Sequence, residues 1–199
     1  MKQPSAAPRI TTLRKLVVNH RRVDIHELVL HLSKWVRRIT SNSQLEHLEL
    51  VMDGLEHFMG PYLNYRGLVE HVSHRHGGTI RILRLMHGYL DSSTVTLLCQ
   101  KCSNLEDASL GVNMSTLVSS ASSQHSFVTR TFLQHEFPHK AASLSKLRRV
   151  SFRVCNVKSS KVEKSFTDEV ATEFFKTLKY ASLRRLAVNE MAWEVSEND

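Results

Sequence analysis

One spacing recurs six times along this chain: an apolar residue, two others, a second apolar residue, one other, a third apolar residue. It stands at Leu13-Leu16-Val18, Leu45-Leu48-Leu50, Ile80-Leu83-Leu85, Leu105-Ala108-Leu110, Leu147-Val150-Phe152 and Leu183-Leu186-Val188. The last two positions of each triplet are two residues apart, so on a strand they point to the same side. The triplets begin 32, 35, 25, 42 and 36 residues apart. Those intervals hold a turn, a helix and a second turn, the return path that parallel strands require. No single strand-helix unit can bury its apolar side alone, so stacked units are expected to share one continuous core.

The intervals read accordingly. Val23 to Thr40 has apolar residues at helical spacing (Ile25, Leu28, Val29, Leu32, Trp35, Val36) behind a capping Asp24. A strand at Ile25-Leu28-Leu30 fits the same spacing but leaves no room for a return element after Leu13. A weaker helix is expected over Leu63 to His76, with Leu68, Val69 and Val72 inward and a stop at Gly77-Gly78. Asp91 or Ser92 caps a short helix through Cys102 that turns Val95, Leu98 and Cys99 inward. Thr167 caps a helix from Asp168 to Tyr180, with Val170, Phe174, Phe175 and Leu178 inward; its early acids and late lysines suit the helix dipole. The 42-residue interval is irregular: a serine-rich loop over Met114 to Ser126, then a helix near Phe127 to Glu136 that ends at Pro138.

Composition narrows the function classes. A chain of 199 residues with 41% hydrophobic and 23% charged residues is ordinary for a globular protein. There is no long apolar run for a membrane span, and the N-terminus has no secretory h-region. Three cysteines suit reduced thiols in cytoplasm or nucleus, and Asn113-Met114-Ser115 is then a chance sequon. The net charge of +8 is uneven: +7 over residues 1–40, −3 over 41–110 and +4 over 111–199. Without a basic run or interleaved aromatics, solvated flanks are expected rather than nucleic-acid binding.

The repeated phrase is the core of a leucine-rich repeat. The passage Leu97-Leu98-Cys99-Gln100-Lys101-Cys102-Ser103-Asn104-Leu105-Glu106-Asp107-Ala108-Ser109-Leu110 resembles the helix-to-strand passage of ribonuclease-inhibitor-like repeats, in particular those of fungal F-box proteins. Lys176 to Leu186 and Ser145 to Phe152 are similar, and Cys155-Asn156 and Asn113 stand where that consensus has Asn or Cys. The resemblance implies an α/β leucine-rich repeat solenoid: a right-handed α/β horseshoe fragment of about six strand-helix units, with a parallel concave sheet and convex helices. The repeat domain is expected over residues 9–193, with an irregular insertion at 113–143 and flexible ends at 1–8 and 194–199. In F-box proteins such repeats present substrates for ubiquitination. The twelve residues before Leu13 carry no Leu-Pro helical motif, so a Skp adaptor is an expected partner only if an F-box lies upstream.

Motifs with catalytic spacing do not hold together. His135-Glu136-Phe137-Pro138-His139 matches the zinc-protease pattern, yet Pro138 disfavours the helical turn that aligns both histidines. His26-Glu27 to His31 is one residue too long for that pattern, and His71, His74 and His76 lack a completing cysteine or acid. Cys99 and Cys102 have redox spacing, but they sit at a helix C-terminus, where the dipole raises a thiol pKa. The expectation is a non-enzyme without metal or cofactor.

Binding is expected on the residues between the apolar positions, which point out of the concave sheet. These are Lys15, Val17 and Asn19; His47, Glu49 and Val51; Ile82, Arg84 and Met86; Asp107, Ser109 and Gly111; Arg149, Ser151 and Arg153; and Arg185, Ala187 and Asn189. Leu85 should therefore face the core and Arg84 the solvent. Ile82, Arg84 and Met86 lie centrally beside His47, Glu49, Val51, Asp107 and Ser109, and Arg149, Arg153 and Arg185 make a basic end. Apolar residues mixed with arginine suit a protein partner. The alternatives are a structural or incomplete repeat fragment without independent function, or a weak polyanion binder.

Overall fold

Alternation writes the strands, and each apolar triplet closes over the same core. In the computed structural model, which describes residues 11–21, 25–53, 63–113, 136–155, 162–164, 166–178 and 182–195, the strands are β1 (Lys15–Arg21), β2 (His47–Asp53), β3 (Leu63–Asn64), β4 (Ile82–Leu90), β5 (Asp107–Asn113), β6 (Arg149–Cys155), β7 (Arg185–Val188) and β8 (Met191–Glu194). The helices are α1 (Ile25–Thr40), α2 (Arg66–His76), α3 (Ser92–Lys101), α4 (Phe137–Ala141) and α5 (Asp168–Thr177). The chain is thus α/β with a mostly parallel sheet. Its strands follow one another in the order β1-β2-β4-β5-β6-β7-β8, all parallel except the last pair.

The register is continuous along the sheet's starting edge: Lys15, His47, Ile82, Asp107, Arg149 and Arg185 are successive partners. Just before each strand a single carbonyl accepts two N–H groups from the start of the next one. Arg14 serves Glu46 and His47, Glu46 serves Arg81 and Ile82, and the pattern repeats at Arg81, Glu106 and Arg148. The apolar positions of the last five triplets are buried, and Leu13, Leu16 and Val18 pack half-buried at the open edge. Consecutive helices pack on each other in a layer, and their buried residues join the same core.

Local chemistry sets the helix ends. Asp91 caps α3, its carboxylate accepting the Thr94 N–H at 2.7 Å and the Ser93 and Thr94 hydroxyls. Thr167 stands at the N-cap of α5, but its hydroxyl donates to Glu169 rather than capping the helix. Val95, Leu98, Cys99, Val170, Phe174 and Leu178 are buried as their spacing predicts, with Phe175 half-buried.

Several expectations are corrected. The helix expected from Leu63 begins at Arg66, because Leu63 and Asn64 form β3 and pair with Gly88 and Tyr89 of β4. α2 does stop at Gly77-Gly78 as expected, ending at His76, and Gly77 keeps a right-handed backbone. Its missing side chain matters because a Cβ there would lie 2.4 Å from the carbonyl oxygens of Lys101 and Ser73. Trp35, assigned to the inward stripe of α1, is 47% exposed, while Val36 is fully buried. Pro138 does not end a helix: it occupies the first turn of α4, where its absent N–H costs nothing. The serine-rich stretch, the helix expected at 127–135, Asp24, His135 and the side chains of Ile25, Leu28 and Val29 lie outside the described residues. β8, which the sequence does not announce, forms a two-residue hairpin with β7 and runs one residue past the expected boundary at 193. Trp193 closes this end of the core, its indole N–H donating to Asp168 at 2.8 Å and its ring meeting Phe166 at 5.2 Å.

Candidate functional site

The sheet face without helices carries the residues assigned to binding, and the register sorts them into rows. The first row runs Lys15, His47, Ile82, Asp107, Arg149, Arg185; the second runs Val17, Glu49, Arg84, Ser109, Ser151, Ala187. Neighbouring parallel strands lie about 4.8 Å apart, so side chains within a row and on its diagonals touch.

What these rows build is a charge ladder across four strands. His47 Nε2 lies 3.1 Å from Glu49 Oε2, and the Arg84 guanidinium reaches Glu49 at 3.4 Å and Asp107 at 2.8 Å. Arg149 meets the same Asp107 oxygen at 3.2 Å. Asp107, expected to point into solvent, is only 4% exposed. The two arginines, one from each flanking strand, roof it: Arg84 supplies the charge-assisted hydrogen bond that a buried carboxylate needs, and Arg149 adds a second ion pair. Their bond holds the Arg84 guanidinium above its ordinary pKa, with burial acting against it.

Arg84 is accordingly no freely solvated side chain. Arg84→Ala leaves Asp107 with Arg149 alone and Glu49 with His47, and should cost about 1–2 kcal/mol of stability. Urea denaturation is the measurement; a midpoint equal to wild type would show that the ladder is solvated and energetically idle.

The remaining assigned residues divide. Val51, Ile82, Met86 and Ser109 are half-buried on this face, as is Arg153, which has partners of its own. Arg149 and Arg185 are exposed, with Arg185 paired to Glu194 of β8 at 3.0 Å. Gly111 offers no surface, since it is buried beneath β4. Asn189 is a structural turn residue: at φ 53° it starts the β7–β8 hairpin, and its side chain accepts the Val154 N–H at 2.8 Å. Asparagine tolerates that left-handed backbone better than most residues.

A second set of charges went unassigned. The residue after the first apolar position of every triplet is charged: Arg14, Glu46, Arg81, Glu106, Arg148 and Arg184. Arg14 pairs with Glu46, and Arg81 grips Glu106 at 2.9 Å and 3.1 Å. The signal was periodic and lay in the same phrase, one position after its first apolar residue.

The candidate catalytic motifs lie elsewhere and apart. Burial pushes the Cys99 thiol up to about 12 and the Cys102 thiol up to about 11, which keeps both protonated and unreactive at neutral pH. His139 is exposed on α4. His76 is buried, accepts the Leu45 N–H on Nδ1, and is driven down to about 4 by burial and then by the nearby His71 and Arg75. Among the described residues no group of three His, Cys, Asp or Glu side chains is placed to hold a metal ion, and no helix is long and apolar enough to cross a membrane. No protein-family model matches the chain, and no curated protein is similar to it at a significant level.

Proposed function

We propose that this chain is a leucine-rich repeat solenoid that works as a non-catalytic recognition module, its helix-free sheet forming the concave face on which a protein partner docks. The observation that carries this reading is the in-register array of outward positions on six parallel strands, in which Ile82 and Met86 stand beside a pre-formed charge ladder. Ion-paired arginines and acids held in one geometry give a partner specific hydrogen-bonding sites at little further entropic cost, and half-buried apolar neighbours supply the desolvated contact. In the family that the sequence resembles, such a face belongs to the substrate-recognition half of an F-box type ubiquitin-ligase receptor. We extend that role to this chain, with any contact to a Skp adaptor falling to an F-box outside this sequence. The cysteine usage suits work in cytoplasm or nucleus.

Proximity labelling to find the partner, followed by titration of purified variants, tests the proposal. Ile82→Ala combined with Met86→Ala should weaken the partner by more than about 2 kcal/mol, on the order of thirtyfold, because central desolvated contacts dominate an interface. Charge reversal at Arg185 should instead change the salt dependence and the association rate. Normal binding by the apolar pair, with binding abolished on deleting residues 114–126, would move the site off the sheet and defeat this assignment.

A further inference from the structure

A surface unrelated to the sheet face lies between α1 and α2. Two adjoining hollows meet there, one of about 340 Å³ lined by Lys34, Arg37, Arg38 and His71, and one of about 510 Å³ lined by Arg37, Gly67, Glu70, His71, His74 and Arg75. Arg37 and His71 line both, so the two form one groove. Lys34, Arg37, Arg38 and Arg75 are exposed, and among the described residues none of them forms an ion pair with an acid. The groove's one carboxylate, Glu70, is already taken by Arg66 at 2.9 Å.

We propose that this groove binds a compact, multiply charged phosphate compound. Lys34, Arg37 and Arg38 line the first hollow and Arg37 and Arg75 the second, with Arg75 Nε donating to the Ser41 carbonyl at 2.8 Å; a bound polyanion relieves the mutual repulsion of these cations. The guanidinium forks of Arg37, Arg38 and Arg75 and the Lys34 ammonium suit phosphate oxygens, and the several charges of a polyphosphate answer several of these cations from one small molecule. His71 sits at the meeting point, its Nε2 3.1 Å from the Thr40 hydroxyl. Burial first, then Arg37 and Arg75, hold its pKa down. Gly67 keeps the groove open: a Cβ there would approach Arg37 Nη1 to only 3.9 Å, so a side chain is sterically allowed but would project into the binding space. No Phe, Tyr or Trp lines either hollow, so the broad stacking platform of a single-stranded nucleic-acid site is missing and a compact phosphate cluster fits better.

Isothermal titration of the full chain with sodium tripolyphosphate at physiological chloride is expected to show saturable binding. Gly67→Glu, which places a carboxylate among the cations, should weaken it at least about tenfold. So should Arg37→Ala with Arg38→Ala, a change at exposed positions that keeps the test valid if the glycine variant melts early. Arg185→Ala on the sheet face should bind as wild type does. Flotation with phosphatidylcholine vesicles, with and without phosphatidylinositol bisphosphate, separates the sources. Vesicle association that Gly67→Glu abolishes assigns the phosphates to a lipid headgroup, and tripolyphosphate binding without vesicle association assigns a free polyphosphate. Failure to bind either, or binding that both variants retain, overturns the proposal. A single-stranded RNA that outcompetes tripolyphosphate and is lost in the same variants also overturns it, by making the occupant a nucleic acid.

Discussion

Replacing Gly111 with alanine should destabilise this protein by about 3 kcal/mol or more, a large share of what holds a domain of this size together. The reason is a backbone collision. Opposite Gly111 the two strands lose step: Leu85 pairs with Leu110 and Leu90 with Val112, so four residues of β4 face one of β5. The extra loop of β4 folds down onto Gly111, and a Cβ there would lie 1.6 Å from the Gly88 carbonyl oxygen and 3.2 Å from that of Met86. Neither atom belongs to a side chain that can rotate away. Gly88 is itself held by its pairing with Leu63 of β3, so relief must tear that pair or spread β4 from β5. A melting temperature lower by roughly 6–12 °C is expected for a chain of this length. Gly78→Ala is the control, since a Cβ at Gly78 meets nothing within 4 Å, and it should change stability by less than about half a kcal/mol. Equal melting of the two variants would mean that β4 does not lie over Gly111 in solution.

The same stretch marks where the sequence stopped being readable. Strand positions were legible because burial on one face imposes a period of two, and a slip of one residue would have exposed Leu48, Leu83 and Leu110 together. In Met86-His87-Gly88-Tyr89 only Gly88 hints at the widened strand, and the pairing of β4 with β3, two residues long and about twenty residues upstream, leaves no mark on the local sequence. β8 escaped for a similar reason: four residues with no Asn-Gly turn behind them carry little hairpin signal, and only the positive φ of Asn189 reveals the turn. Trp35 was misplaced because an apolar residue at helical spacing need not be buried when the neighbouring stripe already fills the contact.

The candidate surface was half legible. That Arg84 and Asp107 point away from the core followed from alternation alone. That they bond each other, and that Arg149 completes the roof over Asp107, depends on which strands become neighbours, a fact spread over 65 residues of chain. The groove between α1 and α2 was invisible for the same reason, its two walls being some thirty residues apart in sequence.

Phe152→Ala should cost about 3–5 kcal/mol and should also disorder the basic end of the outward face. Phe152 is fully buried on β6, its ring edge-on to Phe137 at 4.8 Å and to Phe174 at 6.5 Å, while Phe137 and Phe174 stack at 5.9 Å. One ring from the sheet, one from α4 and one from α5 thus meet, so truncating the sheet's ring leaves a cavity that its two rigid neighbours cannot fill by rotation alone. Phe152→Leu, which keeps most of the volume, should cost less than half as much. The cost should propagate along β6, because Ser151 and Arg153 flank Phe152 on the opposite face and Arg149 starts the same strand against Asp107. Hydrogen exchange should therefore show loss of protection first in β6 and α4, with the β1–β2 pair unaffected. A double-mutant cycle between Phe137→Ala and Phe152→Ala should give a coupling of about 1 kcal/mol, since each truncation already removes part of the other's contact. Strictly additive losses would mean that the two rings stabilise their elements separately, and that α4 is not anchored to the sheet through this cluster.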